Sequence, residues 1–133
     1  MLYSFSCLFP KGKSITEQTK HILKLRSGII NKIEVMFPEG CCGLVQVYIN
    51  DGLFQIAPVN TDDTFAGSGV TIKFNEDREF ITEPYELQLY GWNEDTENNH
   101  TIAVMIEIQD PSSLLRYVMK NLSNILTFKT WGV

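Results

Sequence analysis

Apolar and polar residues alternate along most of this chain. Tyr3, Phe5 and Cys7 alternate with Ser4 and Ser6, and Ile33, Val35 and Phe37 with Lys32, Glu34 and Met36. Val45, Val47 and Ile49 are interleaved with Gln46, Tyr48 and Asn50, and Val70, Ile72 and Phe74 with Thr71, Lys73 and Asn75. The longest such run sets Ile102, Val104, Ile106 and Ile108 against Ala103, Met105 and Glu107. A period of two is that of a strand with one side-chain set in a core and the other outside it. β-Branched residues dominate the inward sets, as a pleated, half-buried surface favours.

Turn chemistry separates these runs. Arg26-Ser27-Gly28 is expected to reverse the chain between 19–25 and 29–37, pairing those two strands directly, and Pro38-Glu39-Gly40 closes the second. Asn50-Asp51-Gly52 is the strongest hairpin signal, since Asp-Gly supplies the positive φ values of a type I′ turn. It joins 44–50 to 53–57, where Phe54 and Ile56 are expected to point inward. Asn93 to Asn99 reads as a polar hairpin tip between 85–92 and 100–109. The total is about eight strands at sandwich or barrel spacing.

One segment supports two readings. Ser14-Ile15-Thr16-Glu17 matches a helix capping box, and a short helix over Thr19–Leu25 could follow it. Alternatively His21, Leu23 and Leu25 share one face of a strand, and the strand is the expectation. After Asp110-Pro111 the period changes: Leu115, Val118, Leu122 and Ile125 recur at spacings of three, four and three. That stripe, widened by Leu114, Met119 and Leu126, predicts an amphipathic helix over 112–127 and a tail from Phe128 to Val133.

The organisation expected is therefore a β-sandwich over 1–110 and a helix with tail over 111–133. The fold class is all-β: a two-sheet antiparallel sandwich, jelly-roll-like, with an up-and-down barrel as alternative. The long connection 58–69 favours a crossover between sheets, and so the sandwich.

The chain has 133 residues, enough for one well-buried domain. Eleven Lys and Arg against sixteen Asp and Glu give a net charge of -5. That balance argues against general binding of nucleic acid or anionic membrane, which need concentrated positive charge. No run approaches the roughly 18 apolar residues of a bilayer span, and the first residues lack a secretory pattern. Cys7, Cys41 and Cys42 have neither disulfide nor zinc spacing, and read as buried or half-buried thiols in a reducing compartment.

Catalytic and metal motifs are scarce. The chain has no Gly-x-Ser-x-Gly, HExxH, P-loop or GxGxxG, and Gly67-Ser68-Gly69 leads into a strand. His100 is expected to be a hydrogen-bonded strand residue rather than a metal ligand, and a Cys-His pair from Cys41 or Cys42 has nothing local to activate it. Asn93-Glu94-Asp95-Thr96-Glu97 places oxygens at alternate positions, but Asn98 and Val104 stand where a calcium loop needs glycine and glutamate. Asp62-Asp63 and Glu76-Asp77 read as loop charges. Tyr48, Tyr85, Tyr90 and Trp92 are candidates for a sugar-stacking platform, half of them outward by alternation.

Gly28-Ile29-Ile30, Phe37-Pro38-Glu39-Gly40-Cys41-Cys42-Gly43-Leu44-Val45, Pro84-Tyr85-Glu86-Leu87, Trp92-Asn93-Glu94-Asp95 and His100-Thr101-Ile102 together span most of 28–109. This set resembles a pattern in small β-sandwich proteins of tailed-phage virions. The resemblance implies a capsid-associated, decoration-like or other structural role, with no catalytic residue to carry over.

The expectation is thus a non-enzymatic virion component, assembled in the host cytoplasm, with no cofactor and no metal. Its partners would be further copies of itself or other virion proteins such as the major capsid protein, with no nucleic acid and no membrane. Leu115, Val118, Leu122 and Ile125 are the candidate interface, like two heptads of a seam; the alternative is that they cap the sandwich within the chain. The rivals are a carbohydrate-binding module using Tyr48, Tyr90 and Trp92, and an enzyme of unrecognised type using carboxylates or a Cys-His pair.

Overall fold

The computed structural model describes residues 1–110, together with Val118, Met119, Asn121 and Leu122. Eight strands run in chain order: β1 (Leu2–Phe9), β2 (Thr19–Lys24), β3 (Gly28–Phe37), β4 (Val45–Asp51), β5 (Phe54–Ala57), β6 (Val70–Phe80), β7 (Glu86–Asn93) and β8 (His100–Gln109). They form two antiparallel four-stranded sheets, β1-β8-β3-β6 and β2-β7-β4-β5. Two open sheets enclosing one core make a sandwich and not the closed barrel.

The alternation does what a period of two requires. In β8, Ile102, Val104, Ile106 and Ile108 are all buried, and so are Ile33, Val35 and Phe37 in β3 and Val45, Val47 and Ile49 in β4. Both sheets supply one continuous apolar cluster, with Tyr3, Phe5, Leu25, Phe65, Ile72, Phe74 and Tyr85 packed around its margin. Gly91 in β7 marks the tightest approach: a Cβ there would stand 2.5 Å from the Gln46 carbonyl oxygen and 2.9 Å from Cε1 of Phe9. The missing side chain makes the space into which β1 of the opposite sheet lays the Phe9 ring.

Several expectations need correcting. β2 is a strand, but it pairs with β7 and not with β3. Arg26-Ser27-Gly28 therefore carries the chain between sheets instead of closing a hairpin. The capping box forms only one 3-10 turn, Ile15–Glu17, with the Glu17 amide on the Ser14 carbonyl at 2.9 Å. β2 follows because His21, Leu23 and Leu25 have an apolar interior to enter. His21 reaches across the sandwich edge, with Nε2 2.8 Å from the Leu8 carbonyl oxygen and its ring edge-on to Phe9.

The β4–β5 hairpin exists, but its two central residues are Gly52 and Leu53, flanked by the Asp51–Phe54 pair. Gly52 has φ +62° and Leu53 is not left-handed, which is the II′ pattern with glycine first, not I′. A bulge between Ile49 and Asn50 shifts the register. Ile56 stays buried, while Phe54, expected inward, is 76% exposed.

Residues 58–69 cross from β5 in one sheet to β6 in the other, as their length suggested, and Phe65 bridges to Val47 on the way. Glu76 and Asp77 lie within β6 and not in a loop. Residues 94–99 likewise join β7 to β8 across the sheets and are no hairpin tip. Cys7 and Cys41 are buried, but Cys42 is exposed at φ +52°.

The predicted helix over 112–127 lies mostly outside the described residues, as do Leu115, Ile125 and the tail. Val118 and Leu122 are described, and both are about half exposed, at 50% and 49%.

Candidate functional site

The strand order gives the sandwich two unlike ends and two unlike outer faces. At one end meet the segments after β1, β3 and β7 with the start of β8, and here the motif residues converge. Asn93 is fully buried and donates through Nδ2 to the carbonyls of Phe9 (3.1 Å) and Asn98 (2.9 Å), while its Oδ1 accepts from the Asp95 amide. Asp95 Oδ1 accepts from the amides of Glu97 and Asn98, and its Oδ2 lies 2.9 Å from His100 Nε2. Backbone bonds add Gly12 to Asp95, Lys13 to Asn93 and Glu94 to Leu44.

The chemistry of this end is structural. The Glu97 amide, then the His100 imidazole, hold the Asp95 carboxyl below its ordinary range. Burial, with the neighbouring Cys42 and Asp95 adding to it, pushes the Cys41 thiol up, so it stays protonated and weakly nucleophilic. His100 is the hydrogen-bonded strand residue expected, and its partner is a carboxylate. No group of three or more His, Cys, Asp or Glu side chains able to hold a metal occurs among the described residues. In the acidic run that resembled half a calcium loop, Asn93 Oδ1 and Asp95 Oδ1 accept from the run's own backbone, Asp95 Oδ2 meets His100 and Glu94 Oε1 accepts from Trp92.

The opposite end carries apolar side chains in water. Leu53 in the β4–β5 turn is 97% exposed, Phe54 76%, and Ile81 just after β6 73%. Leu53 and Ile81 line one groove of about 570 Å³ with Phe80, Pro84 and Tyr90, which also holds Lys20, Asp51, Glu79, Glu83 and Glu86. β8 ends at this same end, with Gln109 opposite Ile29.

The outer face of β2-β7-β4-β5 is the aromatic one. Register places Lys20, Tyr90 and Tyr48 in one row across three strands. The two tyrosine rings stack at 5.3 Å and 11°, and Lys20 Nζ stands 5.8 Å above Tyr90. The Tyr48 hydroxyl donates to Gln18 Oε1 at 2.6 Å, and burial raises its pKa. A second groove, about 330 Å³, runs beside Tyr48 under residues 61–64. Trp92 lines it too, but is only 5% exposed and donates to Glu94 Oε1 at 3.0 Å, so it packs more than it presents. Tyr85 belongs to the core margin. Of the sequence-predicted platform, Tyr48 and Tyr90 are brought together and Tyr85 is not. Sequence reasoning missed Gln18, which follows the 3-10 turn, and Asn50 and Gln55 on β4 and β5, because an isolated surface amide carries no signal until a groove forms above it.

Comparison with protein-family models, with curated proteins and with solved structures finds no match.

Proposed function

We propose that this chain is a non-catalytic contact module of a phage-type particle, a jelly-roll sandwich that works by docking onto copies of itself or onto another virion protein. The observation carrying the proposal is the apolar end. Leu53, Phe54 and Ile81 are held in water by short turns, where a monomer gains nothing from them. Burying such side chains in an interface removes apolar surface from water at about 25 cal/mol per Å².

The strand order supports the jelly-roll reading. β1 pairs with β8, β2 with β7, β3 with β6 and β4 with β5, the pattern of one long hairpin rolled into two sheets. That architecture occurs in capsid proteins and in lectins alike, so the role rests on the surface and not on the fold. The motif resemblance is the second support. The sequence stripe Leu115, Val118, Leu122 and Ile125 extends the same reading as a candidate seam.

Sedimentation of the purified chain and of the variants L53S/I81S and Leu122→Asp tests it. Self-association or capsid binding lost in these variants, with the β signal in circular dichroism retained, is the expected result. A strictly monomeric chain that never cosediments with virions sinks the proposal.

A further inference from the structure

We infer that the groove beside Tyr48 is a binding site for a neutral oligosaccharide. The inference rests on other observations than the docking role above, although Leu53 borders both grooves. The groove has one aromatic wall. Tyr90 covers one face of the Tyr48 ring, and the strand order leaves the other toward β5 and the groove. The stack and the Gln18 bond fix that ring, so little side-chain freedom is lost when a flat ligand lies against it.

Ile15, Leu53 and the edge of Trp92 add apolar surface to that wall, and the uncharged polar lining is carboxamide and hydroxyl: Gln18, Asn50, Gln55, Thr61 and Thr64. Each is or carries both donor and acceptor, as a run of sugar hydroxyls requires. Gln55 is held in place because its Nε2 donates to the carbonyls of Pro58 (2.8 Å) and Asp63 (3.0 Å), tying the overhanging segment to the sheet. Asn50 Oδ1 is buried at this wall and has no hydrogen-bond partner among the described residues. A donated hydroxyl hydrogen bond nearby, direct or through water, would remove that deficit.

Charge selects the class. Among the described residues, the only charged side chains lining the groove are Asp62 and Asp63, with no Lys or Arg. Phosphorylated, sulfated or uronic ligands are repelled, and a neutral sugar is not. The volume of about 330 Å³ lies at the lower end for small-ligand sites and admits one or two pyranose rings of a longer chain.

The test uses neutral hexasaccharides of glucose, mannose and N-acetylglucosamine, added to the full chain labelled with 15N. The expected result is saturable movement of the Asn50 and Gln55 side-chain amide signals by at least one of the three. Tyr48→Ala should weaken that binding about tenfold or more, the scale of one lost aromatic contact, whereas Tyr48→Phe keeps the ring and most of the affinity. Asn50→Ala, which removes a carboxamide whose Oδ1 bonds no described residue, provides a variant that keeps the fold, and should also weaken binding. No amide movement with any of the three sugars up to their solubility overturns the inference. So does binding that Tyr48→Ala and Asn50→Ala leave intact, or a protein partner that occupies this groove. The sedimentation result is distinguished from these outcomes by Ile81 and Leu122, which do not line this groove; Leu53 lines both grooves.

Discussion

The two ends of the sandwich solve opposite problems. At the Asn93–His100 end, polar groups are drawn inside and every one of the central side chains is bonded to backbone or to another side chain. At the Leu53–Ile81 end, apolar groups are pushed out. The first arrangement stabilises a monomer, because buried polar groups are tolerable only when hydrogen-bonded. The second adds nothing to a monomer and is useful only once something covers it. Structure is concentrated at one end and surface at the other.

Substitutions can break that contrast. The largest effect is expected at Phe9, whose ring fills the space beside Gly91 and whose carbonyl accepts from Asn93. Phe9→Ala should cost about 3–5 kcal/mol in urea unfolding. Asn93→Ala comes next, at about 1–3 kcal/mol, since it strands the carbonyls of Phe9 and Asn98. An unchanged urea midpoint in Asn93→Ala would mean that the bonded end is ornament and the contrast false.

At the bonded end, acid should act through Asp95. The folded Asp95 carboxyl is held below its ordinary value of 3.8, chiefly by the Glu97 amide and then by His100. Its stabilisation is complete above that value and disappears as pH falls through the lower folded one. Wild type should therefore lose stability more steeply than Asp95→Ala below about pH 4. Parallel urea-midpoint profiles for the two proteins would remove Asp95 from the account.

The smallest effect on stability is expected at the apolar end. L53S/I81S should change the unfolding free energy by no more than about 0.5 kcal/mol per site. A loss of several kcal/mol would show that these side chains are buried in the monomer after all, and that the two ends do the same work.

Much of the sandwich is legible in the residues. β8, β3 from Ile33 to Phe37 and β4 from Val45 to Ile49 alternate without interruption, and in each the inward set is the buried set. Phe54 was misread because a bulge at Ile49/Asn50 changes which face follows it, and a bulge leaves no mark in a run of four residues. β6 was cut short at Asn75 because Glu76, Asp77 and Arg78 look like a loop. In the fold, Arg78 Nη1 crosses to Asp51 Oδ2 at 2.9 Å, in the opposite sheet. The binding groove was half legible: Tyr48 and Tyr90 stood out as aromatics at outward positions, while the amides around them did not.

Taken alone, the sequence determined where most of the strands lie and which face β4 and β8 turn inward, because period and turn chemistry are local properties. Which strand lies beside which was decided only in three dimensions. β2 leaves its neighbour β3 for β7 because both sheets must close over one apolar interior, and no local pattern encodes that partner. The same global choice brings Asp95 to His100, sets Tyr48 against Tyr90 and leaves Leu53 and Ile81 in water.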